Sequence, residues 1–321
     1  MDADNQKSIL PDEKYMYTFT IFTPTYNRAS TISRVYESLK HQTFQDFEWL
    51  IIDDGSTDNT SSLVRKWQED AKFTIRYIFQ ENSGKHVAYN KAARLAKGKF
   101  LVNLDSDDAC IPVALERFKY HWDAIPEDEQ SSFSGVDCLC QDPQGNLIGD
   151  LYPFSPLDSN YSEVHYRYKV TGEKWGFQLT TVFQEFPFPE PSINPTPCIP
   201  ESIVWSNLTQ KYKARYINEC LRIYYINGGP SQLTKTSSAS KNPTGLNLVC
   251  KNMLDVEIRY FIFSPFAFLK AAINYSRSSF HLQKNLGQQL INLQSWEAKF
   301  LWLICFPVGY VFWLRDSLNK R

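Results

Sequence analysis

Three carboxylates fall within four residues at Asp105-Ser106-Asp107-Asp108. Clustered carboxylates at a loop are hard oxygen ligands that can meet Mg²⁺ or Mn²⁺. A divalent ion there bridges a diphosphate and takes up the charge that develops as the diphosphate leaves. Capping of a following helix by Asp108, ahead of Ile111-Pro112, accounts for one of these acids equally well. A second pair, Asp53-Asp54 in DDGSTD, can accept hydrogen bonds from a uracil imide or a ribose hydroxyl, while Gly55 to Asp58 reads as an Asx turn. Tyr26-Asn27-Arg28 offers a ring on which a base can stack and a guanidinium that can pair with phosphate. Asn82-Ser83-Gly84-Lys85-His86 opens a helix, so backbone N–H groups and Lys85 can meet an anion there. His86, alone among five scattered histidines, reads as a structural hydrogen-bonding residue.

The elements that must carry these residues are legible over the first 125 positions. Tyr17 to Thr23 is β-rich and ends at Pro24, and a helix with the apolar face Ile32, Val35, Tyr36 and Leu39 follows. Phe47 to Ile52 is a nearly continuous apolar run, the pattern of a strand buried on both faces. Phe73, Ile75, Tyr77 and Phe79 alternate as a third strand, residues 84–97 read as a helix stopped by Gly98, and Phe100 to Leu104 makes a fourth strand. Strands alternating with helices at this spacing imply an α/β fold, a Rossmann-like and mostly parallel sheet flanked by helices. Ligands of such sheets sit beyond the C-terminal strand ends, where Thr23-Pro24-Thr25, Asp53-Asp54 and Asp105-Ser106-Asp107 converge on one crevice. A nicotinamide-binding sheet would need a glycine-rich first turn, and this one reads TPTYNRAS.

Composition narrows the classes further. A chain of 321 residues, 43% hydrophobic and 15% aromatic, can bury a large core. Its net charge of −1 gives no signal for nucleic-acid binding. Charge is uneven, however: residues 245–321 hold nine Lys/Arg against four Asp/Glu. Seven scattered cysteines form no paired zinc framework and suit a reducing compartment. Met1 to Pro11 lacks the apolar core of a signal peptide. Beyond about residue 130 the pattern weakens, and helical signals return from Leu246.

In order and spacing, TPTYNRASTISRVYESLKHQTFQDFEWLIIDDGSTDNT, ENSGKHVAYNKA and GKFLVNLDSDD resemble family 2 glycosyltransferases of the GT-A fold, over about residues 17–125. The resemblance implies a metal-dependent, inverting hexosyltransferase that moves a sugar from a nucleotide diphosphate, a UDP-sugar foremost, to a saccharide or lipid-linked saccharide hydroxyl. It implies nucleoside contact from Thr25, Tyr26 and Asp53 or Asp54, metal and diphosphate contact from Asp105 and Asp107, and places for Lys85 and Asn90 on the donor's rim. The division expected is a GT-A catalytic domain over 1–235 and a helical extension over 236–321.

An inverting displacement needs a general base on the acceptor side. The family often supplies it as Glu-Asp after the DxD, a pair absent here beyond residue 130. The candidates are Glu201 in CIPES, which precedes a helical pattern, then Glu190 in FPFPEPS and Glu185 in FQEF. Absence of the pair also suits a noncatalytic scaffold that keeps the nucleotide fold. Trp175 reads either as an acceptor-site wall or as core. No stretch reaches the ~20 apolar residues of a spanning helix. Phe300 to Leu314, fifteen uncharged residues broken by Pro307 and Gly309 and flanked by Lys299, Arg315, Lys320 and Arg321, reads as interfacial. That predicts attachment of segment 300–321 to the inner face of the cell membrane; a buried helix pair or a homo-oligomer contact explains the same aromatics.

Overall fold

Burial decides which strand lies in the middle. In the computed structural model, which describes residues 15–191, 198–225 and 241–318, β1 (Tyr17–Thr25) is buried from Phe19 onward and pairs on both sides. It is followed by α1 (Ser33–Lys40), β2 (Phe47–Asp53), α2 (Thr60–Asp70), β3 (Thr74–Phe79), α3 (Lys85–Leu95) and β4 (Gly98–Asn103). Every residue of β2 is buried, as expected of a parallel strand covered on both faces. The four expected strands form a parallel array in the order β3-β2-β1-β4.

The second half of the sheet is mixed. It comprises β5 (Ala109–Cys110), α4 (Ala114–Asp123), β6 (Phe133–Gln141), β7 (Leu147–Ile148), β8 (Leu157–Ser159), α5 (Tyr161–Tyr166), β9 (Lys174–Leu179), α6 (Thr180–Glu185), α7 (Ser202–Leu208) and β10 (Lys213–Ile223). The order continues β4-β9-β6-β10-β5, with β9 antiparallel between β4 and β6, and β10 parallel to β6. The weak pattern beyond residue 130 thus hides five strands, whose pairing is interrupted by register shifts along β10.

Two cores cover the sheet. On one face Phe19, Trp49, Phe100, Phe118, Trp122 and Phe177 pack with α1, α2 and α4. On the other, Phe22, Leu50, Tyr89, Leu101 and Phe183 pack with α3, α6 and α7. Trp175 belongs to the first core and donates through Nε1 to the Asn103 carbonyl at 2.5 Å, so it is a core residue.

The helical extension comprises α8 (Pro243–Val256), a 3₁₀ turn over 258–263, α9 (Pro265–His281), α10 (Leu286–Asn292) and α11 (Trp296–Leu318). Residues 226–240, which contain the expected boundary at 235/236, lie outside the described residues, as do 319–321. The extension has its own core of Leu254, Phe268, Tyr275, Leu301 and Trp302. Here the sequence reading needs correction. Pro307 does not break the last segment: α11 runs through it for 23 residues and is long and apolar enough, by length and composition alone, to cross a membrane. Ala298, Leu301, Trp302, Cys305 and Gly309 are its buried stripe.

Candidate active site

Thr25, Asp53 and Asn103 end three neighbouring parallel strands, and the loops beyond them meet the start of α3. The Asp53 carboxylate is wholly buried and accepts from Ser56 N at 2.7 Å and Tyr77 Oη at 2.6 Å. Asp54, also buried, accepts from Gln80 Nε2 (2.8 Å), Ser83 N (2.8 Å) and Gly84 N (2.9 Å). Its charge thus fixes the loop that opens α3, where helix N–H groups favour an anion. Gly55 and Gly84 make these turns possible with φ of +91° and +94°. Asn27 pins the neighbouring loop by accepting from Thr57 N at 2.8 Å. Asp58 accepts from Thr60 N at 3.0 Å, as the Asx turn requires.

Thr23 and Pro24 are buried inside β1, and Thr23 Oγ1 accepts from Trp49 Nε1 at 2.9 Å. Beyond them Tyr26 is 51% exposed and Arg28 reaches Asp107 at 3.8 Å. Ser106 is buried in the turn, and the Asp107 carbonyl accepts from Arg34 at 2.8 Å.

Lys85 stands at the centre. Its ammonium lies 2.8 Å from both Asp105 Oδ1 and Glu201 Oε1. Burial pulls the lysine down, but Asp105 and Glu201 outweigh it and hold it well above its ordinary range. Arg222, on β10, approaches from the opposite side, donating to Asp105 at 3.2 Å and to Asp108. Burial opposes ionisation of Asp105, yet Lys85 and Arg222 hold its carboxyl below the usual carboxylate range. Asp108 does not cap a helix; it accepts from Arg222 and from Tyr225 N at 3.0 Å.

Of the candidate bases, the structure brings Glu201 to this centre. Glu201 is the N-cap residue of α7, but its side chain makes no capping bond and turns to Lys85 instead. Glu190 is held at 2.6 Å by Asn90, whose amide also clamps Phe188 N and O, so Asn90 ties down the 188–190 loop. Glu185 pairs with Lys211 (2.6 Å) and Tyr212 (2.7 Å) at the surface, away from the cluster.

Buried polar atoms with no partner among the described residues include Tyr89 Oη and Asn103 Oδ1, next to Lys85 and Asp105, and also Thr25 Oγ1 and His86 Nε2. Buried polar groups are ordinarily paired, so the two orphans beside the ionic cluster suit a polar ligand there. Burial lowers the His86 pKa, which suits a neutral ring. Sequence reasoning missed Arg222, Tyr89 and Asn103. A lone arginine in the apolar run CLRIYY was the available signal for the first.

Residues 20–128 match the sequence profile described as Glycosyl transferase family 2. The chain is 40% identical over 176 residues to the chondroitin synthase of Escherichia coli, covering 52% of this chain and 24% of that protein. It is 28% identical over 233 residues to the GalNAc(5)-diNAcBac-PP-undecaprenol beta-1,3-glucosyltransferase of Campylobacter jejuni, covering 71% and 70%. Among solved structures it resembles S. aureus TarS 1-349 in complex with UDP-GlcNAc, with a TM-score of 0.60 at 19% identity over 90% of this chain and 79% of that one. That likeness carries the GT-A fold expected from the sequence. The chain spans under a third of several curated relatives, 30%, 24% and 16% of their lengths. Over residues 20–128 the chain is thus similar to glycosyltransferase family 2, the family that its strand-end motifs resemble.

Proposed function

We propose that the protein transfers a sugar, with inversion, from a UDP-sugar to a hydroxyl of a saccharide or lipid-linked saccharide. The observation that carries this reading is the Lys85 bridge, which joins the DxD carboxylate Asp105 to Glu201 at 2.8 Å each, beside Tyr89 Oη and Asn103 Oδ1, which have no partner among the described residues. In this reading Thr25 and Tyr26 meet the nucleoside, with Asp53 and Asp54 shaping the loops behind them. Arg28 and Lys85 meet the diphosphate. Glu201 takes the proton of the acceptor hydroxyl as its oxygen bonds to the anomeric carbon, while the bond from that carbon to the diphosphate oxygen breaks. The TarS complex with UDP-GlcNAc and the lipid-linked acceptor in the name of the Campylobacter relative support the two substrate classes.

Among the described residues no group of three His, Cys, Asp or Glu side chains could enclose an ion. Asp105 is committed to two cations, whereas Asp107 is 40% exposed and only loosely paired. One free carboxylate fits Mg²⁺ or Mn²⁺ held jointly with donor phosphates, the usual arrangement for these ions in phosphate sites. Asp107 would then hold the ion, which would supply positive charge to offset that of the diphosphate leaving group. Attachment to the inner membrane face through α11 completes the reading, because the helix packs by one stripe and leaves Phe300, Leu303, Ile304 and Val311 exposed.

Thermal melting with UDP-, GDP- and dTDP-sugars, with and without Mn²⁺, tests the donor, because a ligand of the folded state raises Tm. A UDP-sugar should give the largest rise, and Asp107→Ala should lose its metal-dependent part and abolish transfer with the fold intact. Glu201→Gln should bind the donor but lose turnover by about 10²–10⁴-fold. Full turnover by Glu201→Gln, or no shift with any nucleotide sugar, sinks the reading.

A further inference from the structure

Asp107 is the least restrained acid of its cluster. Asp105 and Asp108 both accept from Arg222, whereas the Asp107 carboxylate is 40% exposed and meets Arg28 only at 3.8 Å. What holds Asp107 is its main chain, because the Asp107 carbonyl accepts from Arg34 Nη1 at 2.8 Å. A fixed carbonyl fixes the peptide plane, and with it the direction in which the carboxylate leaves the backbone.

Arg34 is badly placed for a residue that serves only its own helix. It is the second residue of α1, where the N-terminal N–H groups favour an anion and oppose a cation. No carboxylate pairs with it among the described residues. Instead its Cζ lies 4.0 Å over the centre of the Tyr225 ring, a cation–π contact that holds the planar fork toward the carbonyl. Tyr225 is anchored in turn. Ile223 of β10 is in register with Ala109 of β5, so the chain leaving β10 runs beside the turn that enters β5. Tyr225 N closes that junction by donating to Asp108 Oδ1 at 3.0 Å. The 105–108 turn is thus gripped twice, by Arg222 at two of its acids and by Arg34 at the Asp107 carbonyl. Truncating Arg34 opens no hole in the core, because the side chain is half-buried and lines, with Ser38 and Tyr225, an open cleft of about 310 Å³.

We propose that Arg34 is a positioning residue, which sets Asp107 for the divalent ion that Asp107 and the donor phosphates would share. The proposal rests on the glycosyltransferase reading above. Arg34 acts through the Asp107 peptide alone and touches neither ion nor donor. Groups that orient a metal ligand change metal affinity by about 10–100-fold when removed.

Equilibrium dialysis of Mn²⁺ against the full chain, with UDP on both sides, tests it. Arg34→Met keeps the apolar stem and loses every donor, so it should bind Mn²⁺ about 10–100-fold more weakly than the wild type. Arg34→Lys can still donate one bond to the carbonyl and should fall between the two; it carries the comparison should Arg34→Met not fold. In turnover, Arg34→Met should need more Mn²⁺ and regain the wild-type kcat when the ion is saturating. A purely structural role predicts a lowered Tm with unchanged Mn²⁺ affinity. Wild-type Mn²⁺ affinity in the folded variants overturns the proposal, as does a kcat that saturating Mn²⁺ fails to restore. So does a wild type whose Tm rises equally with UDP alone and with UDP and Mn²⁺. A wild type whose Tm no nucleotide sugar raises sinks the glycosyltransferase reading, and the role of Arg34 falls with it.

Discussion

Arg222 shows how much one buried charge can organise. Arg222 is 5% exposed and sits between Asp105 and Asp108, so removing it leaves the buried Asp108 without its cation and Asp105 with Lys85 alone. Breaking a buried pair from one side costs about 3–5 kcal/mol. Arg222→Met should therefore lose on that order in urea unfolding, and Arg222→Lys should recover part of it; unchanged stability in Arg222→Met would contradict the clamp. Glu257 is the opposite case, a buried acid with neutral partners: Ser162 Oγ donates at 2.5 Å and Tyr166 Oη at 3.1 Å. Burial outweighs these bonds and raises its carboxyl from 4.5 to about 7. The folded state therefore holds the proton more tightly than the unfolded chain. Its contribution is fully present below about pH 4.5 and is lost as pH rises through about 7. Relative to Glu257→Gln, the wild type should lose roughly 1–3 kcal/mol between pH 5 and 8 in paired denaturation series. Parallel curves for the two proteins would refute this.

At the scale of elements, the first four strands are legible because β1, β2 and β4 are short apolar runs closing near Pro24, Asp53 and Asp105, and β3 alternates from Phe73 to Phe79. No such contrast marks the later strands. SGVDCLC in β6 and KARYINECLRI in β10 mix charge with apolar residues, since their polar side chains are spent inside the protein: Arg215 pairs with Asp158, and Arg222 with Asp108. The candidate site was half legible for a related reason. Strand-end acids announce themselves locally, but whether Asp54 faces a ligand or holds Ser83 and Gly84 is set by chain brought in from β3 and α3. Glu201 could be ranked by its place before a helix, while its meeting with Lys85 is a tertiary fact. The α9–α11 contact was equally hidden. A Cβ on Gly309 would come 2.6 Å from the Ile273 carbonyl and 2.7 Å from Ser276 Cβ, so a side chain there must push the helices apart. Gly309→Val should cost about 1–3 kcal/mol and lower Tm, even though valine would otherwise suit an apolar helix surface. No loss of stability would mean that the two helices do not approach this closely.

For the whole molecule, the question is where an apolar face of this size goes. Phe300, Leu303, Ile304 and Val311 of α11 are each more than half exposed, and Ile262, before α9, and Phe266, in its first turn, are 78% and 84% exposed. Contiguous apolar surface of this kind marks an interaction site. The stripe from Ala298 to Gly309 is already occupied by the extension's own core, so the helix can lie on a bilayer without leaving the fold. Nine Lys/Arg against four Asp/Glu in residues 245–321 favour an anionic surface. The full chain should therefore float with phosphatidylglycerol-containing vesicles. Leu303→Lys with Val311→Lys should abolish flotation at unchanged Tm, and raised salt should weaken it in part. An interfacial helix is released by alkaline carbonate, whereas a spanning one is retained. Retention would mean that α11 leaves α9 to cross the bilayer, and a stable dimer indifferent to vesicles would assign the same face to a second copy of the chain.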